Sequence, residues 1–122
     1  MMAAPVWIAV ALLGGAAALA RFLLDAALAE RVAGPFPAGT LAVNLSGSVL
    51  LGLVAGAALH GVALTIVAGG GLGSYTTFST WMFESHRLGE AGRARLLWLN
   101  VGFSLVAGLA ALSLGHWLGG AL

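Results

Sequence analysis

The sequence predicts an all-α membrane protein of four transmembrane helices, the third of them broken near the bilayer midplane. Three observations lead there. Hydrophobic residues make up 61% of the 122 residues and charged residues only 7%, against about 25% charged in soluble domains. A chain this poor in charge cannot coat a globule, so lipid has to be its solvent, and the mean hydropathy of +1.04 agrees. Apolar stretches close to the roughly 20 residues a spanning helix needs recur along almost the whole chain, which makes residues 1–122 a single four-span membrane domain. The third stretch contains GGGLGSYTTFSTWMFE, from Gly69 to Glu84, a composition unsuited to a span that only anchors.

The first span covers about 6–24. The small residues before Arg21 resemble a cleavage region, but no positive segment precedes the apolar run, so a retained span is expected. Arg21 closes the span with Asp25 one turn on. The pair reads either as a snorkelling arginine with its i,i+4 carboxylate or as a cation at a pore mouth that concentrates anions. The link from Asp25 to Pro37 ends in a loop, and Pro37 stands just before the second span, where its missing N–H is harmless.

The second span, about 38–59, carries Thr40, Asn44 and Ser48 at intervals of four, along one helical face that continues as Gly52 and Gly56. Such stripes serve as packing glue between helices. Asn44 differs, because a primary amide in a span needs up to four partners, and it reads as facing a polar path. His60-Gly61 then leaves room only for a tight turn, hence an antiparallel helix pair.

The third span, about 63–83, has Gly73 at its middle. Each glycine costs a helix about 1 kcal/mol relative to alanine, and Ser74, Thr76 and Thr77 offer the backbone competing hydrogen bonds. The helix is therefore expected to break at this run. In lipid, irregular backbone survives only where it is buried in protein or lines a polar cavity, so the run reads as a site. Phe78 and Trp81 follow one turn apart, among Thr77, Ser79 and Thr80. An aromatic ring has a positive edge and can touch a small anion without a fixed counter-charge, with Asn44 and Ser104 as donors. The link from Glu84 to Arg95 holds Arg87, Arg93 and Arg95 against Glu84 and Glu90, and Glu84 reads as the residue ending the third helix.

The fourth span, about 96–118, repeats the four-residue spacing with Asn100, Ser104 and Gly108. Trp7, Trp98 and Trp117 lie near span ends, where aromatic belts form. An even number of spans puts both termini on one side; Arg31, Arg87, Arg93 and Arg95 face the other, which the positive-inside rule makes cytoplasmic.

Several classes are excluded. A net charge of +1 lacks the clustered cations of a nucleic-acid partner. The absence of cysteine removes disulfides and thiolate metal sites. His60, His86 and His116 are too dispersed for a metal site. No nucleophile–base pair is visible, so an enzyme is not expected.

The segments PAGTLAVNLSGS, from Pro37 to Ser48, and GSYTTFSTWMFE, from Gly73 to Glu84, resemble the Fluc/CrcB family of fluoride channels over essentially the whole chain. The resemblance implies a cell-membrane channel for fluoride export, built as an antiparallel, dual-topology dimer with two pores. It implies Asn44 as a pore amide, Phe78 and Trp81 as the aromatic pair beside the fluoride path, and Thr77 and Ser79 in the same motif. Ser104 and Thr40 match pore-side hydroxyls, and Arg21 the vestibule arginine. Gly73 and Thr76 match residues whose backbone carbonyls hold a central structural Na⁺. The second aromatic is usually Phe, and Asn100 stands where some members have tyrosine. The arginine bias toward one side leaves a homodimer and a heterodimer with an oppositely oriented sister chain both open. The alternatives are a proton-coupled, small multidrug-type transporter, which needs an intramembrane carboxylate, and a non-conducting subunit of a heterodimeric channel.

Overall fold

A computed structural model describes residues 3–122, and every regular element in it is helical. Helix α1 spans Ala4–Arg31 and α2 spans Ala38–Gly56. The chain then forms a short α3, Gly61–Leu64, that runs on as a π-helix, Thr65–Leu72, and closes as α4, Gly73–Tyr75. After an irregular step come α5, Ser79–Glu90, and α6, Ala94–Gly120. Helices α1, α2 and α6 are long and apolar enough to cross a membrane. The segment expected as a third span, 63–83, is instead two arms, 61–75 and 79–90, on either side of the irregular step.

The break differs in place from the one the glycine run predicts. The chain stays helical through Gly73 and leaves the helix only at Thr76, whose ψ of 160° is extended. The reason is packing. A Cβ on Gly70 would meet Val10 at 3.1 Å, one on Gly71 would meet Leu13 at 3.1 Å, and one on Gly14 would meet the Gly70 carbonyl at 3.1 Å. These glycines let α1 lie against the π segment, and the helix responds by widening its turns rather than unwinding. Such local π geometry is a frequent companion of functional sites.

The links also shift. Helix α1 continues to Arg31, halving the expected 25–37 link. Helix α5 continues to Glu90, so Glu84 lies inside a helix rather than ending one, and the 84–95 link contracts to residues 91–93, turning at Gly92 with φ 76°. The tight turn after α2 is present, with Ala58 and Gly61 in the left-handed region.

The closest packing joins α2 to α6. A Cβ on Gly52 would overlap the Leu112 carbonyl, on Gly56 that of His116, on Gly115 that of Val49, and on Gly119 that of Leu53. The glycine stripe of the second span is thus matched by one on α6, and the backbones touch directly. This contact sets the distance at which the polar half of α2 meets the broken segment.

Candidate functional site

Helix α2 acts as a template for the break. Asn44 gives both ends of its amide to one residue: its Nδ2 donates to the Thr77 carbonyl and its Oδ1 accepts from the Thr77 N–H, each at 2.9 Å. Because the backbone N–H can only donate and the carbonyl only accept, the amide has one possible orientation. Two residues along α2, Ser46 donates to the Val43 carbonyl at 3.0 Å. Its only proton is thereby committed, so the 2.8 Å contact with Tyr75 is a bond donated by the phenol. A Cβ on Gly47 would strike the Thr76 methyl, so only glycine admits the break so close. Ser48 donates back to the Asn44 carbonyl at 2.8 Å.

These bonds redirect two backbone donors. In an unbroken helix the Thr77 N–H would bond the Gly73 carbonyl and the Thr80 N–H the Thr76 carbonyl. Here the first goes to Asn44 and the second to Thr77 Oγ1 at 3.2 Å. Phe78 already has helical dihedrals, φ −84° and ψ −44°, so Thr77 serves as the cap of the second arm. Thr76 folds back, its N–H and hydroxyl both donating to the Leu72 carbonyl at 3.0 Å. The carbonyls of Gly73 and Thr76 are thus among those at the break whose helical donors are engaged elsewhere, and freed main-chain oxygens of this kind can coordinate a hard cation.

Beyond the cap stand the two rings. Phe78 and Trp81 meet edge to face, with centroids 5.6 Å apart and planes at 83°. Phe78 is 71% exposed in the single chain. One cleft, about 330 Å³, is lined by Asn44, Ser48, Gly73, Thr76, Thr77, Phe78 and Trp81. A second, about 280 Å³, is lined by Asn44, Ser48, Trp81 and Ser104 among apolar residues. Asn44, Ser48 and Trp81 border both clefts. The residues read from the sequence as Asn44, Thr77, Phe78, Trp81 and Ser104 therefore come together. Ser79 is exposed and lines neither cleft.

Thr40 is displaced from this group. It is buried, and its hydroxyl donates to the Glu84 carboxylate. With Arg21, Asp25, Val43, Thr77 and Thr80 it lines a narrow crevice. Arg21 and Asp25 form no ion pair; among the described residues the sole contact of that kind joins the His86 ring to the Glu90 carboxylate at 3.4 Å on the exposed face of α5. The Arg21 Nε is buried and has no protein partner. A wider cavity of about 370 Å³ opens at this end of the bundle, where Asp25 and Glu84 face Arg87 and Arg93. The i,i+4 pairing expected of Arg21 and Asp25 fails because Asp25 instead packs against Gly39, where any Cβ would overlap its carboxylate.

Sequence reasoning missed Ser85 altogether and left Asn100 without a role. Asn100 is 1% exposed and its Nδ2 donates to Ser85 Oγ at 2.8 Å. Ser85 donates to the Trp81 carbonyl at 2.8 Å, and the Trp81 indole N–H donates to the Asn100 carbonyl at 3.3 Å. The only available signal was Asn100, a polar residue among apolar neighbours; Ser85 stands in the polar run Glu84–Arg87 and gave none.

Three helices long and apolar enough to cross a membrane, around a braced interruption with an aromatic pair, define a multi-pass membrane protein. The chain belongs to the CrcB-like family: the family model described as "CrcB-like protein, Camphor Resistance (CrcB)" matches residues 8–116. A protein of Mycobacterium bovis named "Fluoride-specific ion channel FluC 2" is 48% identical over 113 residues, covering 93% of this chain and 90% of that one. One of the same name from Mycolicibacterium paratuberculosis is 47% identical over 118 residues, covering 97% of each. "Fluoride-specific ion channel FluC 1" of Leifsonia xyli subsp. xyli is 45% identical over 118 residues, covering 93% of this chain and 85% of that one.

Proposed function

We propose that this chain is a fluoride channel of the cell membrane, a single domain whose three long helices and one interrupted segment, third in chain order, make four spans. It transports an ion and catalyses no reaction. The observation that carries this reading is the placement of Asn44 and the Phe78–Trp81 pair around one common cleft, in a chain whose relatives are named for fluoride conduction. Fluoride is small and strongly hydrated, so it enters a dry passage only where protein donors replace its water. Positive ring edges and the second N–H of Asn44, left over after its bond to Thr77, supply such donors; the Ser104 hydroxyl, which lines the second cleft, joins them on leaving its 3.4 Å bond to Asn100. Arg21, whose Nε has no protein partner, gathers the anion at the crevice mouth, and Thr40 and Thr77 flank the same crevice.

Direction comes from the membrane. An inside-negative potential contributes about 2.3 kcal/mol per charge per 100 mV, so fluoride leaves the cytoplasm without a coupling ion and its toxicity falls. The working unit in this proposal is a dimer of oppositely oriented subunits, formed with a second copy or with a sister chain. The carbonyls of Gly73 and Thr76 fit a structural Na⁺ at its centre, because their helical donors are engaged elsewhere. The ion would supply charge to hold the freed backbone. The test is fluoride efflux from liposomes carrying the purified chain, alone and with a co-expressed sister chain. Fast release is expected in at least one case; release no faster than from empty vesicles in both would overturn the proposal.

A further inference from the structure

Trp81, Asn100 and Ser85 form a closed circuit of hydrogen bonds between α5 and α6. The indole N–H of Trp81 donates to the Asn100 carbonyl, the Asn100 side chain donates to Ser85, and Ser85 donates to the Trp81 carbonyl. Asn100 and Ser85 are 1% and 3% exposed, so water does not compete for these groups. Ser104 joins from the side, donating to Asn100 Oδ1 at 3.4 Å. One buried amide therefore meets both Ser85, the hydroxyl bonded to the Trp81 carbonyl, and Ser104, a hydroxyl of the second cleft.

We infer that Asn100 and Ser85 are positioning residues for the proposed fluoride path: they lock the Trp81 indole so that it meets Phe78 edge to face and borders both clefts. Indole is larger than a phenyl ring and, unlike it, carries an N–H that must find an acceptor when buried. Without a fixed partner it would swing into one of the two clefts it borders. The circuit solves this by giving the N–H an acceptor on α6 and pinning the same turn of α5 through Ser85. The inference rests on the proposed function only for its transport readout.

The test pairs two substitutions, Ser85→Ala and Asn100→Leu, with two backgrounds, the natural Trp81 and Trp81→Phe. In the natural background each substitution is expected to slow fluoride efflux about tenfold, and in the Trp81→Phe background by less than about twofold, because no indole remains to be held. A residue that merely supports the fold would lose the same factor in both backgrounds, and that result would overturn the lock. Independently, a chain with Trp7, Trp98 and Trp117 changed to Phe reports Trp81 alone. Its fluorescence anisotropy in detergent is expected to fall on Ser85→Ala; an unchanged value refutes the lock. Should the natural chain move no fluoride, the function fails while the anisotropy still decides this inference.

Discussion

Asn44 is the residue on which the break depends. It meets both backbone groups of Thr77, and its loss leaves two part-buried groups unmatched at about 1–3 kcal/mol each. Asn44→Ala is expected to lower stability by about 2–6 kcal/mol and to slow fluoride efflux by more than about tenfold, read as detergent melting temperature and liposome flux. A variant that melts and conducts like the natural chain would show that the break holds without it. Asn44 could be picked out beforehand because an amide in a lipid span demands partners. Its partner could not, since Thr77 is one of several hydroxyl residues in the run. The bond goes to the backbone rather than the side chain, which sequence spacing does not encode. The partner of Thr40 was hidden for a related reason: the four-residue stripe places it on the face of Asn44, and the continuation of α5 to Glu90 brings the Glu84 carboxylate over it.

Elements come together here through glycine, and the glycines do two different jobs. Gly52, Gly56, Gly115 and Gly119 bring α2 and α6 into backbone contact, as the stripe of small residues in the second span suggested. Gly52→Leu cannot be accommodated, because its Cβ would overlap the Leu112 carbonyl and overpacking costs about 1–3 kcal/mol or more. It is expected to yield little folded protein by size-exclusion chromatography, whereas Gly15→Leu, with open space around its Cβ, is expected to yield normal amounts. Equal yields would refute the close packing. The Gly69–Gly71 run misled the reading of the break, since propensity alone says that three glycines unwind a helix. The approach of α1, a contact between residues about sixty apart in sequence, keeps that run wound and moves the interruption to Thr76–Phe78. The existence of a broken element was legible in composition; its location was decided by tertiary packing.

For the molecule as a whole, charge decides orientation. Arg31 ends α1, Arg87 stands in the last turn of α5, Arg93 in the turn that follows and Arg95 in the first turn of α6, and Arg87 and Arg93 line the same cavity as Val32 at the end of α1. The positive-inside rule counts such residues near span ends, so a C-terminal tag is expected to lie outside the cytoplasm in all copies, which requires an oppositely oriented sister chain for an antiparallel dimer. Labelling of tags on both sides of the membrane would instead assign a dual-topology homodimer. The most direct measurement of the central claim compares two anions in the same vesicles. Liposomes carrying the complete channel, loaded with equal fluoride and chloride and given a potassium ionophore, are expected to release fluoride rapidly and retain chloride. Release of both at equal rates, or of neither, would contradict a passage built from ring edges and a braced break to strip the water from fluoride.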